Sequence, residues 1–256
     1  MYLGVDIGST TSKAVVMDQQ GEIKGRAIIN IGTGTDGPKL AVNKALDQAG
    51  LKRNDIKKCV VTGYGRMLFE GADKQITEIS CHAKGINYMM PGVSTIIDIG
   101  GQDAKVIRLS ESGKVENFAM NEKCAAGTGR FLEVMARVLG CELSDLSELA
   151  QKGEEGVSIS SVCTVFAESE MISQLSEGKK REDVALGAHK SIANRIIGLA
   201  NRIGVKPDIV MSGGAALNKN LIDVLSQQLG EKIKRLEDPQ AAGAIGAAVY
   251  AMEMEK

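Results

Sequence analysis

The sequence predicts an α/β fold built from two copies of one unit. The first observation is a recurrence. LGVDIGSTTSKAVVMDQQGEI, from Leu3, and TIIDIGGQDAKVIRLSESGKV, from Thr95, align on Asp6 and Asp98. Asp-Ile-Gly recurs, Lys13 falls on Lys105 and Gly21 falls on Gly113. The second observation is the pattern within each copy: an apolar β-branched run, a small polar turn, a second such run and a Gly turn. That is a β-hairpin followed by a third strand, GEIKGRAIINI in one copy and GKVENFAM in the other. Residue types, spacing and strand-turn-strand context agree together, which marks duplication of a structural unit.

Helical patterns follow each three-strand unit. PKLAVNKALDQAG (38–50) has Pro38 at a helix start and Gly50 at a stop, with apolar residues at helical spacing. DIKKCVVTGYG (55–65) is a strand running into a glycine-rich turn, and ITEISCHAKGINYMM (76–90) is helical. In the second copy GRFLEVMARVLG (129–140), CTVFAESEMISQLSEG (163–178) and LGAHKSIANRIIGLANRIG (186–204) read as helices, followed by a strand in DIVMSGGAAL (208–217). A last helix, AAGAIGAAVYAMEME, ends the pattern. The order βββαβα written twice is the actin, hexokinase and Hsp70-like ATPase fold, two duplicated RNase H-like lobes facing one another across a nucleotide cleft. Each lobe is built on a mixed five-stranded sheet. The expected division is 1–93 for the first lobe, 94–238 for the second and 239–256 for a C-terminal helix packing back on the first.

Bulk properties exclude several classes. The 256 residues are 43% hydrophobic and 25% charged, with a net charge of −1 and no basic block, so neither nucleic acid nor a polybasic membrane contact is expected. Trp is absent, with four Phe and four Tyr, too few aromatics for stacking single-stranded bases. No apolar run approaches the ~20 residues of a membrane helix. MYLGVDIGSTTSK lacks the basic and apolar regions of a secretory signal, so a cytoplasmic protein with reduced thiols is expected.

The two Asp-Ile-Gly turns carry the nucleotide chemistry. Gly8 and Gly100 permit a tight hairpin turn, which points backbone N–H groups and the hydroxyls of Ser9, Thr10, Thr11 and Ser12 toward an anion. Gly101 extends the second turn. Asp6 and Asp98, at strand ends, suit a hydrated Mg²⁺, which keeps most of its waters and takes few carboxylates. Lys13 offsets phosphate charge. Gln102 and Asp103 are candidates to orient the water that attacks a γ-phosphate, with Asp6 the third catalytic candidate. A surface hairpin with a polar tip would explain one such turn, but not two in facing lobes. VMSGGAALN (210–218), with Gly213, Gly214 and Ala215, offers a backbone surface for an adenosine. PQAAGAIGAA (239–248), with Gln240, is small enough to admit the base edge. GTGTDG (32–37) fits GxGxxG, but after a third strand it reads as a turn with an interface role. No GxxxxGK[ST] occurs, which excludes a P-loop ATPase.

Five cysteines, Cys59, Cys81, Cys124, Cys141 and Cys163, include no CxxC pair. Cys124 precedes the small-residue run Ala125-Ala126-Gly127-Thr128-Gly129, through which a backbone can approach a ligand, with Gly127 the expected contact. Cys163 sits where the Ser/Thr-rich SISSVC meets a helix. Both lie at or near helix N-termini, where unpaired N–H groups and the helix dipole favour a thiolate. Cys59 in a β run, Cys81 inside a helix and Cys141 beyond a helix end read as packing residues. Two such thiols per chain suggest half of a Cys₄ iron–sulfur site shared across a two-fold axis. Small-residue packing explains Cys124 and Cys163 nearly as well.

Nearly the whole chain resembles the activator components of the 2-hydroxyacyl-CoA dehydratases, the archerases of the BadF/BadG/BcrA/BcrD-type ATPase family. The matching segments are VDIGSTTSK, GTGT, VTGYGR, ADKQITEISCHA, IDIGGQDAKVI, MNEKCAAGTGRFLEVMA, SISSVCTVFAESE with ISQL, GGAALN and AAGAIGAAVYA. VMSGGAALN departs a little from the more usual GGVAxN. The resemblance implies a homodimer that binds ATP or ADP with Mg²⁺. It also implies one [4Fe–4S] cluster held by Cys124 and Cys163 of both subunits. A reduced ferredoxin or flavodoxin would load one electron, and ATP hydrolysis would drive its transfer to a partner dehydratase. Related double-cubane and benzoyl-CoA reductase-type proteins are alternative acceptors. The rival from another class is a sugar or acid kinase of the same fold, although no Asp in a substrate-binding insertion is evident. A cluster-free nucleotide-dependent scaffold would leave both cysteines idle.

Overall fold

The computed structural model describes residues 1–122, 124–160 and 163–255. It divides into two compact units. One comprises Met1–Val93, Leu109–Glu116 and Asp238–Lys256, and the other Ser94–Arg108 and Asn117–Glu237. The tip of one hairpin therefore groups with the first unit, as does the last helix.

In the first unit, β1 (Tyr2–Ile7), β2 (Ser12–Met17), β3 (Ile23–Ile29), β4 (Lys58–Thr62) and β5 (Lys74–Gln75) form one sheet in the order β3-β2-β1-β4-β5. β1 runs antiparallel to β2 and parallel to β4. α1 (Gly37–Ala49) and α2 (Glu78–Met89) come from the same unit. Pro38 lies in the first turn of α1, and Gly50, at φ 66°, ends it with a left-handed cap. Residue alternation along β1 sorts the two faces. Leu3, Val5 and Ile7 pack with Ala41, Val42, Ala45 and Leu46 of α1. Tyr2 packs with the last helix on the other face, and Gly4 and Asp6 share its parity.

The second unit repeats this plan. β6 (Thr95–Ile99), β7 (Ala104–Leu109) and β8 (Val115–Asn121) open it, then α3 (Gly129–Val138), α4 (Leu146–Gln151), α5 (Thr164–Ser176), α6 (Arg181–Ile203), β9 (Ile209–Ser212), α7 (Lys219–Leu229) and β10 (Ile233–Arg235). The sheet order is β10-β9-β6-β7-β8, with β6 antiparallel to β7 and parallel to β9. Both sheets therefore have five strands of mixed direction, and the fold is the α/β class the repeat predicts. α6 begins earlier than its apolar pattern at 186–204, because Lys180 is extended and Glu182 and Asp183 occupy the first turn. Its buried stripe, Ala188, Ile192, Ile196 and Ala200, lies in the core of this unit.

Three differences from the sequence reading stand out. The expected strand end before Cys163 is irregular chain over 157–160, and residues 161–162 lie outside the described residues. Between β9 and α7 the glycines form a 3₁₀ turn at Gly214–Leu217 instead of extending the strand. The small residues of α8 (Ala242–Glu253) are packing residues, and the helix is buried from Ala242 to Val249. α8 lies against α2, β1 and β4, and only glycine fits the closest approaches. A Cβ on Gly4 would stand 2.1 Å from the Ala244 carbonyl oxygen, on Gly85 2.0 Å from that of Ala242, and on Gly246 1.8 Å from that of Cys81. This segment was expected to admit an adenine edge, but its side chains are committed to helix contacts. Only Gln240, before α8, is half-buried.

These contacts predict opposite effects for two Gly→Ala changes. Gly246→Ala has no space for its methyl group and should lower unfolding free energy by about 3 kcal/mol in urea titration. Gly198→Ala, exposed in α6 with open space around it, should raise it by about 0.5–1 kcal/mol.

Candidate functional site

Each unit presents one carboxylate turn, and the two are built alike. In the first, strand register sets Asp6 opposite Lys13 on β2 and Thr62 on β4. Lys13 Nζ lies 3.2 Å from Asp6 Oδ2. The Gly8 N–H donates to the Thr11 carbonyl at 2.9 Å and closes the hairpin. Gly8, Ser9, Thr10, Thr11 and Lys13 are half-buried at this turn. Ser12 differs from expectation. It is buried and its hydroxyl donates to the Ile31 carbonyl at 2.8 Å, so it ties down the loop after β3 and does not face an anion.

In the second unit, register sets Asp98 opposite Lys105 on β7 and Ser212 on β9. Lys105 Nζ is 3.3 Å from Asp98 Oδ2 and is also paired with Asp103, while Ser212 Oγ donates to Asp98 Oδ1 at 2.7 Å. The Gly100 N–H donates to the Asp103 carbonyl at 2.9 Å, the counterpart of the Gly8 bond. Gly100 and Gly101 are half-buried, Gln102 is exposed, and the Asp103 carboxylate is held at the turn by Lys105.

Loops from the third and fourth strands brace both turns. The Thr33 N–H donates to the Gly8 carbonyl at 3.0 Å, so GTGT buttresses the first turn. The Gly129 N–H donates to the Gly100 carbonyl and the Arg130 N–H to the Gly101 carbonyl, both at 2.8 Å. Gly63, at φ 89°, and Gly213, at φ 83°, let the fourth strand leave close to each carboxylate. A Cβ would meet Asp6 Oδ1 at 2.5 Å in one case and Asp98 Oδ1 at 3.0 Å in the other. Of the expected adenosine surface, Gly213 is half-buried, Gly214 exposed and Ala215 buried.

The cysteines separate by environment. Cys59 and Cys81 are buried, and burial pushes both thiols up, Cys81 to about 12. Burial also raises Cys141. None of the three is a thiolate near neutral pH, consistent with packing roles. Cys124 and Cys163 are half-buried. Cys163 is the N-cap residue of α5, and Val165 and Phe166 beside it are 65% and 63% exposed. Cys124 corrects the sequence reading. It precedes α3 by a loop, and the N–H groups at the start of α3 are occupied by Gly100 and Gly101, so they do not face the thiol. Asn121 holds that loop instead, its amide donating to the Cys124 carbonyl at 2.8 Å and that of Ala126 at 3.2 Å. Gly127, at φ 85°, is buried against Arg195. α3 and α5 pack on one another. Among the described residues no group of three or more His, Cys, Asp and Glu could hold a metal ion.

One element escaped the sequence reading. His189 of α6 is fully buried, its Nδ1 2.8 Å from the Ala185 carbonyl and its Nε2 2.8 Å from the Asn218 amide. Asn218 Oδ1 accepts from the Leu221 N–H and caps α7. Asn218, three residues before the apolar pattern LIDVL, was the available signal. The imidazole donates through Nδ1 and accepts at Nε2, which makes it neutral, and burial lowers its pKa.

A model of the BadF/BadG/BcrA/BcrD ATPase family matches residues 3–251. The activator of lactoyl-CoA dehydratase from Anaerotignum propionicum is 52% identical over 254 residues, 99% of this chain and 98% of that one. The activator of the 2-hydroxyisocaproyl-CoA dehydratase from Clostridium difficile, solved with bound ADPNP, superposes with a TM-score of 0.95 at 50% identity. That match covers 99% of this chain and 95% of the other. A ROK family glucokinase from Streptomyces griseus shares the fold alone, with a TM-score of 0.59 at 14% identity over 98% of this chain and 99% of that one.

His189 makes stability depend on pH in a defined direction. Its pKa is depressed in the folded protein and near 6.5 in the unfolded chain. Its contribution is therefore complete above about pH 6.5 and is lost as pH falls toward the depressed value, by about 1.4 kcal/mol per pH unit. His189→Gln should flatten the profile of unfolding free energy between pH 6.5 and 5 relative to wild type, as read by urea denaturation.

Proposed function

The chain belongs to the BadF/BadG/BcrA/BcrD ATPase family, and on that premise we propose that it is an ATP-driven activator of a 2-hydroxyacyl-CoA dehydratase. The two named activators above support the partner class, and the bound ADPNP of one supports ATP as the nucleotide. In this reading Asp6 and Asp98 hold hydrated Mg²⁺, Lys13 offsets phosphate charge, and the backbone at Gly8 and Gly100 receives phosphate oxygens. Gln102 and Asp103 orient the attacking water. Gly213, Gly214, Ala215 and Gln240 remain the adenosine candidates, and Gly127 the glycine of the cysteine loop.

Cys124 and Cys163 fit half of a [4Fe–4S] site. They are two half-buried thiols from adjoining segments of one unit, so a Cys₄ donor set needs a second copy of the chain. Exposed Val165 and Phe166 beside Cys163 give that copy an apolar surface. A bound cluster would supply a one-electron carrier, loaded by a reduced ferredoxin or flavodoxin, in a cytoplasmic homodimer.

One observation carries the coupling. The first N–H groups of α3 hydrogen-bond to the carbonyls of Gly100 and Gly101, and the Cys124 loop leads directly into α3. A phosphate that shifts the turn therefore shifts the base of the cysteine loop through fixed hydrogen bonds. ATP biases the cysteine segment only insofar as it binds the two arrangements with different affinity.

Two measurements test this. Protein purified without oxygen should hold about two irons and two sulfides per chain, and Cys163→Ala should lose most of both and all electron transfer to a dehydratase. A Cys163→Ala protein that keeps its iron and still activates a dehydratase overturns the shared site. Asp6→Asn should lower ATP turnover by at least about a hundredfold while leaving iron content unchanged.

A further inference from the structure

The chain that leads toward Cys163 is irregular over 157–160, yet it is fastened along its length. Asp183, in the first turn of α6, accepts three backbone N–H groups on Oδ1. They come from Glu154 at 2.9 Å, Glu155 at 3.2 Å and Gly156 at 3.3 Å. The Asp183 carbonyl accepts the Val157 N–H at 3.0 Å. One turn further, a Cβ on Gly187 would lie 2.2 Å from the Val157 carbonyl oxygen, so segment and helix meet backbone to backbone. Ile159 is buried in the core of the unit. Ser191, also buried, donates from Oγ to the Ser160 carbonyl at 3.3 Å. Asp183, Gly187 and Ser191 stand four residues apart, on one face of α6.

At Ser160 a second helix takes hold. The Ser160 N–H donates to Glu170 Oε2. Glu170 belongs to α5, the helix whose N-cap residue is Cys163. The bond therefore closes a ring that runs from Ser160 through Cys163 and about two turns of α5 back to Ser160. Cys163, Ala167 and Glu170 share a helix face, and the Ala167 N–H donates to the Cys163 carbonyl at 3.0 Å. Ala167 is small and buried, and helical side chains lean toward the N-terminus, the direction in which Glu170 reaches. A carboxylate acceptor makes the stronger kind of bond to a backbone N–H.

We propose that Glu170 is a positioning residue for Cys163: it ties the chain before the cysteine to the helix after it, so that the thiol is presented in one geometry. The role rests on the shared-cluster reading above, in which Cys163 is a ligand. Without this bond the approach to Cys163 would be anchored through α6 and not through α5. Ordering of the cysteine would then fall on cluster binding, at a cost in chain entropy. Groups behind a ligand that fix its orientation commonly govern how firmly a metal is held. Glu170 does so through the backbone, by reach and not by charge.

The test separates reach from charge. Glu170→Gln keeps an acceptor oxygen at the same reach without the charge, whereas Glu170→Asp keeps the charge and is one methylene short. In the metal-free, full-length protein, amide hydrogen exchange over residues 157–163 should be at least about tenfold faster in Glu170→Asp and Glu170→Ala than in wild type. In Glu170→Gln it should stay within about threefold. Exchange in β6 and β9 should be unchanged in all three variants. From anaerobically loaded protein, a ferrous chelator should remove iron about tenfold faster in Glu170→Asp and Glu170→Ala than in wild type or Glu170→Gln. Wild-type exchange or iron release in Glu170→Asp overturns the positioning role. So does a Glu170→Gln variant as impaired as Glu170→Asp, or faster exchange that extends to β6 and β9. Should Glu170→Ala fail to fold, the Asp and Gln pair decides. If wild-type protein takes up no iron, the cluster reading itself falls and the role of Glu170 falls with it. If wild type holds iron and Glu170→Asp behaves like it, only the positioning role is lost.

Discussion

The structure depends on a cross-strand ion pair used twice. A lysine one strand over from a buried aspartate fixes the carboxylate at the end of the central strand, Asp6 with Lys13 and Asp98 with Lys105. Burying a carboxylate alone is costly, and the pair makes it tolerable only in one register. A slip of one residue would send Asp6 to the face of Leu3, Val5 and Ile7, among the side chains of α1. Hairpin length, the turn bond from Gly8 to Thr11 and the exit of the fourth strand all serve that register.

Glycine completes the constraint. The fourth strand must leave beside the carboxylate, and Gly63 and Gly213 do so with positive φ where an added Cβ would collide with an Asp oxygen. The same device recurs at larger scale where α2, α8 and β1 meet backbone to backbone. Polar chemistry and apolar packing thus require small residues for the same reason, the absence of a Cβ at the point of closest approach.

Much of this was legible in the chain. The Asp-Ile-Gly repeat, with Lys and Gly at matching offsets, gave the duplicated sheets because register is a matter of spacing. Capped, periodic segments such as 38–50 gave their helices. β5, two residues long, and α4, six residues with no side-chain cap, carry too little pattern to be read. The surroundings of Cys124 were misjudged because proximity in sequence to a helix start says nothing about which carbonyls already occupy its N–H groups. The small residues near Gln240 were ambiguous in the same way, since a run that admits a ligand and a run that admits a helix look identical.

The placement of α8 has a bearing on how the chain acquires its shape during synthesis. The second unit is a nearly continuous stretch and emerges from the ribosome before α8 does. The first unit, although made earlier, lacks one of its layers until Ala241–Met252 appear. Until then Tyr2, Val15, Met17 and Val60 share that face with Cys81 of α2 but lack α8, and the nascent first unit carries a partly open apolar sheet of the kind that chaperones bind. Of the two units, the one translated earlier is therefore completed later.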